Sequence, residues 1–166
     1  RDLRLVRLRV DEDRYRVVVE GLKPLFTHPK VKLRWHNGKF DARWVKAGLG
    51  FWPRDQVEDT MLAHYSVDEN MEHGLKALAL MYTDMGDYDA ELDRYLSTQD
   101  HPERPRYDLV PCNLLGKYAA MDSVATRKLS KAIRALAAEQ DDHVRALAYR
   151  VLPAASAIAS RLEFAG

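Results

Sequence analysis

The rhythm of apolar and polar positions changes near residue 38. Before it the chain reads as strands with short connectors. Leu3, Val6, Leu8 and Val10 mark one strand and Tyr15 to Val19 a second, joined by the acidic turn Asp11-Glu12-Asp13, which is a hairpin pattern. The stretch 21–29 allows a short helix closed by Pro29, and Val31 to Trp35 alternates as a third strand. The chain then turns at Asn37-Gly38 and enters helical spacing, with Phe40 expected inward and Asp41 in the first turn. Asp59 is a good N-cap for the next helix, and residues 73–82 carry an apolar face. Met71, Met81 and Met85 are expected to pack a core. A charged segment, 86–111, reads as a loop around a helix near Ala90 to Leu96. The longest helix then starts at Pro111, and a polar break at 140–142 precedes a final helix from His143 to Phe164. Strands first and helices later predict a mixed α/β layer fold.

Composition narrows this picture only a little. The 166 residues suit one domain. Lys and Arg (26) nearly balance Asp and Glu (25), so bulk charge gives no support for nucleic-acid binding and any such claim needs a local site. The lone Cys112 leaves no internal disulfide framework and fits a reducing, cytoplasmic setting. No apolar run approaches the roughly 20 residues a membrane span needs. Opening on Arg1 within a strand-like pattern, the chain is expected to be a piece of something longer.

Two places put oxygen ligands where they could cooperate. One is Asp41, four residues after Asn37 and just past a strand end. The other is Tyr118 and Asp122, whose spacing of four sets phenol and carboxylate on one helical face. Carboxylates suit hard cations such as Mg²⁺ or Mn²⁺. Each residue also has a plain structural reading. An acid in a first helical turn is favoured by the helix dipole, Asn37 serves as a turn residue, Tyr118 as a core-edge aromatic and Asp122 as a solvated charge. The six histidines form no zinc-type spacing, and Gly48 and Gly50 lack the context of a phosphate loop.

The ordered set changes the balance. "HNGKFDARWVKAGL" resembles the second motif of proofreading exonucleases, an Asn followed by an aromatic–Asp pair. "VEDTMLAHYSVDE" resembles the helix that follows it, and "YAAMDSVAT" the third motif, Tyr-x-x-x-Asp. "YRVLPAASAIASRLEFAG" is similar to the helix leading into the polymerase domain. In order and separation these segments resemble the 3′–5′ exonuclease domain of family-A DNA polymerases.

The resemblance implies a ribonuclease H-like fold, a mixed sheet flanked by helices, lacking here its first central strand. Residues 1–140 would form the exonuclease domain and 141–166 the helix into the polymerase. Its site would use Asp41 and Asp122 as metal ligands for two Mg²⁺ or Mn²⁺ ions, with Tyr118 orienting the attacking water and His36 and Asn37 beside the 3′-terminal nucleotide. The partners implied are a single-stranded DNA 3′ end and the remainder of a polymerase chain, in a bacterial or phage-infected cell. The family's Asp-x-Glu motif is absent, Asp11 and Asp13 lying in the expected turn. Two of four carboxylates are therefore missing, and the isolated chain is expected to be inactive or nearly so. Two other readings stay open: a non-catalytic exonuclease-like scaffold of a polymerase, and a stand-alone exonuclease of the ribonuclease D type.

Overall fold

The computed structural model describes residues 11–55 and 58–166. The strand expected over Leu3 to Val10 lies outside them. Within them the chain is mostly helical around a small sheet: α1 (Glu12–Thr27), β1 (Arg34–Trp35), α2 (Gly38–Leu49), β2 (Glu58–Asp59), α3 (Thr60–Val67), α4 (Leu75–Tyr82) and α5 (Ala90–Ser97). A 3₁₀ turn at Tyr107–Leu109 leads to α6 (Cys112–Ala138), α7 (Asp142–Ala146), a π-helical turn (Leu147–Val151) and α8 (Leu152–Ala165).

The expected hairpin strand at Tyr15 to Val19 is instead the body of α1. Asp11, read as a turn residue, is its N-cap, accepting from the Arg14 N–H at 2.9 Å. Three consecutive valines mimic a strand, but the half-buried positions Val19, Leu22 and Phe26 recur at helical spacing. Phe26 stacks on Trp35 with ring centroids 6.0 Å apart, so α1 leans on β1. The third strand shrinks to two residues. It runs parallel to β2, pairing Arg34 with Glu58 and Trp35 with Asp59.

The later helices follow the sequence closely, because their caps and apolar faces agree. Ala63, Leu78, Leu129, Ile133 and Ala148 are fully buried and join α3, α4, α6 and the π turn into one core. A second cluster, Leu92, Leu96 and Val110, lies under Leu114, Leu115 and Tyr118. Phe40, expected inward, is half exposed and packs edge-on against Trp44 on the outer face of α2. Met71 and Met81, expected in a core, are exposed as well.

The last helix is not uniform. Between 147 and 151 it widens, and the Leu152 N–H reaches back five residues to the Leu147 carbonyl. The wider turn sits just ahead of Pro153, whose ring would otherwise press on the carbonyl four residues earlier. Beyond it, Glu163 takes Lys39 at 2.7 Å and Arg43 at 2.9 Å, tying α8 to α2. Phe164 packs edge-on against Trp52. Among the described residues no helix is long and apolar enough to cross a membrane.

Candidate active site

The geometry starts at the end of β1. Asn37 adopts the left-handed conformation, φ 59° and ψ 45°, which Asn tolerates better than most residues. This bend turns the chain directly into α2 and sets Asp41 on its first turn. Asp59, only 1% exposed, holds the bend in place. One of its oxygens accepts from the Asn37 N–H at 3.1 Å and the Met61 N–H at 3.0 Å, and the other accepts from Gly38 at 2.8 Å. A longer bond of 3.4 Å comes from the Leu62 N–H. Asp59 is thus the expected N-cap of α3 and, in addition, the anchor of the α2 start.

His36 faces the same junction, its Nδ1 2.8 Å from the Thr60 hydroxyl, which in turn donates to the Trp35 carbonyl. Burial is the main influence on this imidazole and pushes its pKa below the ordinary value, against the pull of Asp59. Behind β2, the fully buried Glu58 accepts from Ser130 at 2.9 Å, Arg34 at 3.0 Å and Arg134 at 2.8 Å. This knot fixes β1 and β2 against α6, and so fixes the helix that carries Tyr118 and Asp122.

Asp41 and Asp122 line one cavity of about 600 Å³. Segment 32–36 forms one wall, so His36 joins them, and Lys32, Arg34 and Arg127 add positive charge. Burial raises the Asp41 carboxyl above the usual range, and the charges of Asp59 and Asp122 raise it further. Tyr118 lies beside Asp122 and is pushed up to about 12, by burial first and then by that carboxylate, so it is a proton donor at neutral pH. A second phenol, Tyr88, donates to Asp122 Oδ1 at 2.7 Å. Asn37 is exposed at the turn and is brought near through its backbone.

Several of these contacts carried no local sequence signal. Tyr88 sits in the charged segment read as a loop. His64, fully buried, meets His73 at 2.8 Å between Nδ1 atoms and Tyr82 at 3.3 Å, although neither histidine shows a ligand-type spacing. Among the described residues no three His, Cys, Asp or Glu side chains converge to hold a metal ion. The paired carboxylates supply the right donor atoms for a hard divalent cation, and two of the oxygens it would need.

The family model for the 3′–5′ exonuclease of family-A DNA polymerases matches residues 4–137. This chain belongs to that exonuclease family. The DNA polymerase of Escherichia phage T5 is 38% identical to this exonuclease chain over 124 residues, 68% of the chain and 14% of that polymerase. The DNA polymerase of Bacillus phage SP01 is 35% identical over 127 residues, 75% of the chain and 13% of that polymerase. The exonuclease chain therefore spans only a small part of the curated relatives it matches. No solved structure gives a significant match.

Burial of two histidines in this domain sets an acid response. His36 and His64 both have pKa values lowered by burial, His64 also by His73. They stay neutral in the folded state while the unfolded chain takes up protons as pH falls through about 6.5. Stability attributable to them is full above that pH and is lost progressively below it. Thermal denaturation between pH 7.5 and 5.5 should show a falling Tm, and His64→Gln should flatten the slope.

Proposed function

We propose that these residues form the 3′–5′ exonuclease module of a longer DNA-directed DNA polymerase, hydrolysing the terminal phosphodiester of a single-stranded DNA 3′ end. The observation that carries this is the meeting of Asp41 and Asp122, distant in sequence and each within its own motif, on the wall of one cavity. The parallel β1–β2 pair flanked by helices supports a ribonuclease H-like reading of the fold. Residues 1–140 are then the exonuclease unit, and 141–166 the start of the connection to the polymerase.

In this reading Asp41 and Asp122 hold Mg²⁺ or Mn²⁺. Two such ions supply hydroxide near neutral pH and neutralise the charge that builds on phosphorus. The elevated Asp41 pKa reflects a site crowded with negative charge, which an incoming cation relieves. Tyr118, protonated at neutral pH, orients the attacking water by donating its O–H. His36 and Asn37 flank the 3′-terminal nucleotide, and Lys32 and Arg127 attract its phosphates. A frayed end enters such a cavity at lower cost than a paired one.

On these 166 residues the ligand set has two carboxylates where the family uses four, and hydrolysis by them alone is expected to be weak or absent. The test is digestion of a 3′-labelled single strand with Mg²⁺ or Mn²⁺, by the full-length protein and by residues 1–166. Metal-dependent release of monophosphates by the former, with little by the latter, is the expected result. A full-length protein that binds the strand without cutting it overturns the reading in favour of a non-catalytic scaffold.

A further inference from the structure

The contact between Tyr88 and Asp122 lies outside the motifs that define the family resemblance, and its geometry is specific. Tyr88 belongs to the turn before α5, far from α6 in sequence, yet its hydroxyl donates to Asp122 Oδ1 at 2.7 Å. That turn is itself pinned. Asp89, the next residue and the N-cap of α5, is 5% exposed and paired with the Lys76 ammonium of α4. The same ammonium lies 5.6 Å from the centre of the Tyr118 ring, a cation–π distance. Lys76 therefore braces both phenols that flank one carboxylate.

An aspartate on a helix can rotate its carboxyl freely unless something holds it. A donor fixed on one oxygen sets the plane of the group and leaves the other oxygen for a ligand arriving from the cavity. We propose that Tyr88 is a positioning residue for Asp122, locking the carboxylate in the orientation that receives a divalent cation. The inference rests on the reading of Asp122 as a metal ligand. The groups around that carboxylate are Tyr88, Tyr118 and, behind them, Lys76 and Asp89; none of them faces the cavity as Asp122 does. Their work is to hold it.

Hydrogen-bond partners of metal ligands commonly affect affinity by 10–100-fold when removed. Mn²⁺ alone, titrated by electron paramagnetic resonance against the full-length protein, reads this directly. Tyr88→Phe keeps the ring and its packing but loses the donor. Mn²⁺ affinity should fall about tenfold, and the Mg²⁺ concentration for half-maximal hydrolysis should rise by a similar factor. At saturating metal the rate should recover. Circular dichroism and Tm should stay close to those of the parent, since the ring still fills its place.

If Asp122→Asn weakens Mn²⁺ binding and Tyr88→Phe does not, the positioning role is refuted while the metal site stands. If Tyr88→Phe lowers Tm and leaves Mn²⁺ affinity intact, the contact is only a loop tether, and the proposal fails again. If Asp122→Asn itself leaves Mn²⁺ binding unchanged, the metal-ligand reading falls and takes the positioning role with it.

Discussion

Replacing Asp122 by Asn in the full-length protein should lower 3′–5′ hydrolysis on the order of 10³-fold, since a metal ligand supplies several kcal/mol of charge stabilisation. The substitution keeps the shape of the side chain and an oxygen for Tyr88, so the fold should remain. Asp41→Asn should reduce hydrolysis comparably, with a telling difference in stability. The folded state raises the Asp41 pKa, through burial first and then through Asp59 and Asp122. A carboxyl raised in this way disfavours the folded state whenever it is charged, at pH values above its unfolded pKa. Asp41→Asn removes that penalty, so Tm at neutral pH should hold or rise as activity collapses. A site under selection for binding a cation behaves this way, because the charge that costs stability is the charge that does the work. A helix-start acid with no other role would behave in the opposite sense, losing the favourable dipole contact and leaving hydrolysis alone. Steady-state rates on a 3′-labelled strand, beside thermal melts of the same preparations, distinguish the two.

Asp59→Ala should cost about 3 kcal/mol of stability, because it leaves several buried backbone donors without an acceptor. Those donors belong to Asn37, Gly38, Met61 and Leu62, at the starts of two different helices. An N-cap alone is worth about 1 kcal/mol, so the excess measures the second task, holding the Asn37 bend. Asp59→Asn retains one acceptor oxygen and should fall between the two. Urea denaturation of the three proteins gives the comparison. Because the bend sets the start of α2, Asp59→Ala should also lower hydrolysis at temperatures where the protein is still folded.

Asp59 also shows what the sequence makes legible. Its capping role could be read locally, from a carboxylate just before a helical run, and α2 to α6 emerged for the same reason: cap and apolar face agree within a dozen residues. Its hold on Asn37 and Gly38 could not, since no spacing rule links residues on separate elements. The same holds for Glu58 with Arg134, for His64 with His73, and for Tyr88 with Asp122. In α1 the local signal misled. Val17, Val18 and Val19 favour a strand by propensity, while the Asp11 cap and the lean of Phe26 onto Trp35 favour a helix. Asp41 and Asp122 could be paired in advance only through the order of motifs; the cavity they share is a property of the tertiary structure.

The widened turn at 147–151 has a consequence for sequence length. A helix that gains a residue in one turn keeps its later side chains in phase only as long as that extra residue remains. Deleting one residue there would rewind the turn, swing everything after it by about 100°, and carry Glu163 away from Lys39 and Arg43. The spacing between α6 and α8 is thus counted in single residues, and insertions or deletions at this point are far less tolerable than substitutions.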